Sequence, residues 1–181
     1  MVNNNTASLG GNIFVESSTL LATRSVGTES GFHFRVEHGS ANEFGGGIAS
    51  VGSTLDLHLA QFSNNKAGLS GGAIYGVLCL MNSLSSVFEN NRGGKEGGGA
   101  MFFQSISNIV LDKVTVVRNY ALGIGGGIAA IQCRSFFLSN SEIRENSASE
   151  GGGLYLVATL TPPAIESDVI HDNTARDGGG G

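Results

Sequence analysis

Short apolar runs recur along this chain, several of them alternating with polar residues, and each is bounded by glycine clusters or by stretches rich in Asn and Ser. Leu55-Asp56-Leu57-His58-Leu59, Asn108-Ile109-Val110-Leu111 and Ser135-Phe136-Phe137-Leu138 are examples. Runs this short between turn-forming residues predict β-strands, and the three-to-four spacing of a buried helix face is missing. The runs keep a fixed order. One follows each glycine cluster, one lies mid-way, and one leads into an Asn that has an apolar residue three positions before it, as at Phe62, Phe88, Val116, Ile143 and Ile170.

The order repeats seven times, each copy passing from an Asn or its substitute to a Gly-Gly doublet. Measured at the last small residue of the glycine cluster, the copies sit at positions 12, 47, 73, 99, 127, 153 and 180, a step of 26 to 28 residues after a first interval of 35. A period of this size marks units that cannot bury a face alone and stack to share one core. With three short strands and three turns per unit, the prediction is an all-β fold. It is a right-handed parallel β-helix of about six to seven rungs, forming a single domain over residues 1–181. A leucine-rich repeat is the nearest rival, but its ladder of spaced Leu is absent.

Two columns stand out. Glycines at Gly46, Gly72, Gly98, Gly126, Gly152 and Gly179 are assigned to the turns, where positive φ and the close approach of the next rung, roughly 4.8 Å away, both disfavour a side chain. Asn5, Asn65, Asn91, Asn119, Asn146 and Asn173 are assigned to a ladder of side-chain amides at one corner, with Gly39 in place of Asn in the second copy. Ile13, Ile48, Ile74, Ile128 and Leu154 are expected to line the bore, with Ala100 or Met101 in the fourth rung. Cys79 and Cys133 fall in one column two rungs apart, too far for a disulfide, and are expected to be free thiols.

The pairing of Phe-x-x-Asn (Phe62 to Asn65, Phe88 to Asn91) with Gly-Gly-Ala-Ile or its variant (Gly71 to Ile74, Gly98 to Met101) resembles the repeat of the chlamydial polymorphic outer membrane proteins. Similar repeats occur in right-handed, pectin lyase-like β-helix proteins of other bacteria and of some protists and algae. The resemblance implies a surface-exposed autotransporter passenger acting as an adhesin. It brings no catalytic residues.

Composition narrows the alternatives. Only 14% of residues are charged, Gly accounts for 29 of 181, and a net charge of −5 offers no basic patch to a nucleic acid. No apolar run is long enough for a transmembrane segment, and Met1-Val2-Asn3-Asn4-Asn5 lacks the features of a signal peptide. The chain opens inside a repeat and stops on glycines where a strand should follow. The expectation is therefore a piece of a longer surface-bound or secreted passenger whose export signal lies elsewhere, with open ends able to self-associate end to end. Its expected partner is a protein or glycan on a host or neighbouring cell, with no cofactor.

Three features are candidates for chemistry. The long first interval predicts a protruding loop near residues 23–31, with Arg24 and Glu29 as binding residues. Glu145 with Asp172, and Glu150 with Asp177, occupy equivalent positions on neighbouring rungs. They are the fallback catalytic carboxylates of a carbohydrate-active β-helix, and Glu150 and Asp177 are also weak Ca²⁺ candidates. Tyr75, Met101 and Tyr155 fall at matching positions and mark either an exposed patch or ordinary core. His33, His38, His58 and His171 are scattered over different columns and predict no metal site. Besides the adhesin, a polysaccharide lyase or hydrolase and a self-assembling structural component remain as alternatives.

Overall fold

The computed structural model describes residues 1–22, 31–105 and 107–180. It is a parallel β-solenoid with no helix among the described residues. Each coil visits four sheets. In the second coil, sheet I takes Ile48–Val51, sheet II Thr54–His58, sheet III Ala60–Ser63 and sheet IV Lys66–Ala67. Every inter-strand pairing is parallel and joins neighbouring coils. Sheets I and II hold six strands each and sheets III and IV seven each, so about five complete turns carry partial coils at both ends. The sequence suggested three strands per rung and six to seven rungs. The fourth strand escapes a pattern search because in most inner coils it is two residues long, between the ladder Asn and the glycine loop.

The corners explain the shape. After each strand the chain turns on one residue in the left-handed region. Between sheets I and II these are Ser17, Gly52, Leu78, Ser105, Gln132 and Ala158; between II and III, Leu59, Ser85, Lys113, Asn140 and Ser167. Between III and IV they are Asn4, His38, Asn64, Asn90, Arg118, Glu145 and Asp172. Only the corner from sheet IV back to sheet I is written throughout in glycine, at Gly10, Gly45, Gly71, Gly98, Gly125, Gly151 and Gly179. A side chain at positive φ costs on the order of 1 kcal/mol. The stack offsets it, because the corner N–H donates to a carbonyl of the next coil, as from Leu59 to Leu84 at 3.0 Å and from Asn64 to Glu89 at 3.2 Å.

This corrects the reason for some of the glycines. Gly98 and Gly179 have positive φ, whereas Gly46, Gly72, Gly126 and Gly152 come one residue later and do not. Those four are glycine because the next coil lies against them. A Cβ on Gly72 would sit 2.1 Å from the Gly99 carbonyl oxygen, and one on Gly126 2.2 Å from that of Gly152.

The bore is largely apolar, with the Ser50 and Ser83 hydroxyls buried among its side chains without a hydrogen-bond partner among the described residues. Sheet I contributes the register column Ile13, Ile48, Ile74, Met101, Ile128 and Leu154, which puts Met101 in the core and Ala100 one residue before it. Sheet III contributes Val36, Phe62, Phe88, Val116 and Ile143, with the Phe62 and Phe88 rings stacked 5.0 Å apart. Two residues further along sheet I than Met101, Phe103 is the register partner of Gly76, and its ring fills the space beside that glycine, where a Cβ would come within 2.6 Å of it. Cys79 and Cys133 are free and buried. Burial, then the charge of Cys79, pushes the Cys133 thiol up to about 11, so the thiol stays protonated and is a poor nucleophile.

Candidate functional site

Because strands alternate, the residue after each sheet I core position faces outward: Phe14, Ala49, Tyr75, Phe102, Ala129 and Tyr155. The sequence grouped Met101 with Tyr75 and Tyr155. The structure replaces it with Phe102, since the fourth glycine loop is one residue longer than the third and shifts the register. Tyr75, Phe102 and Ala129 are nearly covered, forming a second apolar cluster outside the bore with Phe44, Ile124 and Tyr155 packed against it. Phe44 stacks on Tyr75 at 4.4 Å, and Tyr75 on Phe102 at 5.9 Å. Burial and the nearby Glu96 carboxylate raise the Tyr75 phenol pKa, and the phenol oxygen accepts from Gln104 Nε2 at 2.8 Å.

The stack stops at Phe44. Beyond it, over Ala49, lies a groove of about 280 Å³ with Leu9, Phe14, Phe44 and Tyr75 among its walls and Glu43 in its lining. Phe14 is 46% exposed.

Sheet III carries a different surface, a run of alternating charges across its last four coils. Arg118 pairs with Glu89 at 3.3 Å and with Glu145 at 3.8 Å. Arg144 pairs with Glu142 at 3.0 Å and also with Glu145. His171 joins Glu142 at 3.3 Å to Asp172 at 2.7 Å. Glu145 and Asp172 thus share the corner column, yet each carboxylate is held by a cation or an imidazole. Exposed pairs of this kind contribute little individually. Glu150 and Asp177 are not brought into register, because the last glycine loop is a residue longer and Glu150 lies opposite Gly178. No group of three His, Cys, Asp or Glu side chains suited to a metal occurs among the described residues. Arg24 and Glu29, with the predicted loop, lie outside the described residues.

The hydrogen bond to Asp172, then that to Glu142, raises the His171 pKa above its ordinary 6.5. A raised folded pKa means the imidazolium's contribution is complete below the unfolded value and is lost as pH rises through the folded one. The stability difference between the wild-type protein and His171→Asn is therefore expected to be largest near pH 5 and to shrink towards pH 8, roughly the span over which an imidazole titrates. Paired unfolding curves across that range check it. An imidazole that titrates below its free value by NMR would refute it.

The Asn column is the most regular polar feature. Each Asn Oδ1 accepts from both the backbone N–H and the Nδ2 of the Asn one coil earlier, from Asn65 to Asn91 at 3.0 and 3.0 Å and from Asn91 to Asn119 at 2.9 and 3.0 Å. The pattern continues through Asn146 to Asn173. Each Nδ2 also donates to a carbonyl of the sheet III core column, that of Asn91 reaching Phe62 O at 3.0 Å. In the coil before Asn65, where the chain has Gly39, the Asn12 side chain enters the space instead. Asn5 Nδ2 donates to Asn12 Oδ1 at 2.9 Å, Asn12 Nδ2 reaches Asn65 Oδ1 at 3.4 Å, and a Cβ on Gly39 would meet Asn12 Nδ2 at 2.5 Å.

One stretch joins the Phe stack, an amide rung and the glycine corner in a single pass. Residues 60–77 match the Chlamydia polymorphic membrane protein repeat. Within this repeat, Phe62 fills the bore, Asn65 bridges its neighbouring coils, Gly71 makes the left-handed turn, Gly72 admits the next coil and Ile74 returns to the bore. The same repeat residues recur in the following coil at Phe88, Asn91, Gly98, Gly99 and Met101. No curated protein and no solved structure matches the chain.

Sequence reasoning missed Phe14, Phe44, Phe102 and Glu43. Aligning the coils on Gly-Gly-Ala rather than on the last small residue would have put Phe102 beside Tyr75. Nothing in the sequence marks Phe44, which reaches the stack from the end of the sheet IV strand Ser40–Phe44.

Proposed function

We propose that this chain is part of a surface-displayed β-helix passenger, associated with an outer membrane or released from it, that works without catalysis as an adhesion scaffold for a protein partner. The match of residues 60–77 to a polymorphic membrane protein repeat carries this reading. Loop and sheet faces on a rigid stack keep fixed spacing, which suits them to presenting contacts. The acidic residues best placed for acid–base work, Glu145 and Asp172, are engaged by Arg118, Arg144 and His171, which supports a structural use for them.

The test pairs two assays on the purified protein: binding to host or neighbouring cells, and reducing-sugar release from pectins and related uronans. Cell binding without sugar release is the expected outcome. Saccharide cleavage that disappears in Asp172→Asn would replace the scaffold with an enzyme.

A further inference from the structure

The groove at the open end of the aromatic stack has the chemistry of a receptor for an organic cation. Phe14, Phe44 and Tyr75 line it together with aliphatic side chains such as Leu9 and Val77, and its lining contains one charged side chain, Glu43. That carboxylate has no ion pair or side-chain hydrogen bond among the described residues. A second carboxylate, Glu96, acts on Tyr75 from the far side of the stack and accepts a hydrogen bond from Ser70 at 3.1 Å. Among the described residues, no Lys or Arg lines the groove. The groove thus sets one carboxylate beside an apolar, partly aromatic floor.

We propose that this groove receives an arginine side chain from the surface of a protein partner, the guanidinium lying against Phe44 and Phe14 with its fork on the Glu43 carboxylate; this inference rests on the adhesion reading above. Arginine satisfies all three features at once. Its planar, weakly hydrated cation stacks on aromatic rings, and its paired N–H donors match a carboxylate. The space is that of one long side chain rather than of a helix or strand. A phosphocholine headgroup would bring a phosphate beside Glu43 with no cation in the lining to receive it. A neutral sugar would leave the charge unused.

The probe is N-acetyl-glycyl-arginyl-glycinamide, titrated into the whole chain and followed by NMR at Phe14, Ala49 and Tyr75. Its citrulline counterpart keeps the shape and loses the charge, and phosphocholine is the competing ligand. Saturable shifts at those three residues are expected, with affinity falling about tenfold for the citrulline peptide and for Glu43→Gln. Phe14→Ala is expected to weaken binding as well. Both positions are exposed, so unchanged circular dichroism separates lost binding from lost fold. Equal affinity for the citrulline peptide, tighter binding of phosphocholine, unchanged affinity in Glu43→Gln, or no shifts at millimolar peptide would each overturn the proposal. Cell binding by the wild-type protein without peptide binding sinks the groove and leaves the adhesion reading standing. Peptide binding without cell binding does the reverse.

Discussion

Gly72→Ala is expected to cost ~3 kcal/mol or more, although it adds a single methyl group to a residue whose φ is ordinary. The methyl carbon would lie 2.1 Å from the Gly99 carbonyl oxygen and 2.6 Å from the Arg92 backbone. All of these atoms are main chain in the neighbouring coil, so no side chain can swing aside, and relief requires the coils to part. Parting them breaks the hydrogen bond from Gly72 N–H to Gly98 O and the adjoining one from Ala73 to Ala100. Gly52→Ala provides the contrast. Gly52 has φ +56° but nothing nearer than the Ser17 hydroxyl at 3.9 Å, so alanine there meets only the left-handed strain, about 1 kcal/mol. Denaturant unfolding of the two variants decides the matter. Equal costs would mean that coil contact is not what makes Gly72 a glycine. A loss under ~0.5 kcal/mol at Gly72 would contradict the stacked turn altogether.

Asn91→Ala should destabilise the protein by ~3–5 kcal/mol, far more than a typical polar truncation. Asn91 is 1% exposed and its side chain takes part in four hydrogen bonds: it accepts from the N–H and Nδ2 of Asn65, and donates to Phe62 O and Asn119 Oδ1. Alanine leaves all four partners inside the corner, where water cannot replace the missing group. Asn91→Asp is expected to be no milder, since it swaps the donating Nδ2 for an oxygen facing two acceptors. Asn5→Ala, at the exposed end of the column, should cost under ~1 kcal/mol. The ratio of the two losses, read from unfolding midpoints, tests whether the amides act as a buried column. Similar losses at Asn5 and Asn91 would show that they do not.

Much of the architecture was legible because solenoid packing repeats its demands at fixed spacing. Phe62, Phe88 and Val116 appear one coil apart for the same reason that Ile48 and Ile74 do: each must fill one level of a shared bore. Asn65, Asn91 and Asn119 stood out because the corner admits one side-chain length and needs both a donor and an acceptor. The corners themselves were harder to read. A left-handed residue whose N–H is held by the next coil can be Leu59, Lys113 or Glu145 as well as glycine, so three of the four corners lack the glycine that would mark them. The fourth sheet was hidden with them.

The candidate groove was less legible still. It depends on Phe44, at the end of a sheet IV strand, stacking on Tyr75, and on Ala49 being small enough to leave room between Phe44 and Phe14. Loop direction and outward packing have no period, and a one-residue change in loop length moved Met101 inside and Phe102 out.

By itself, then, the sequence determined that this chain is a stack of β-coils, what lines its bore, and which amides and glycines recur at the turns. These follow from local periodicity and from steric demands that every coil repeats. Tertiary structure alone decided that the coil has four sides, that Asn12 completes the amide column beside Gly39, that Glu145 and Asp172 are engaged by neighbouring cations, and that an aromatic groove opens beside Glu43. Each of these depends on contacts between coils at one place in the stack, and a contact made once leaves no repeat in the sequence.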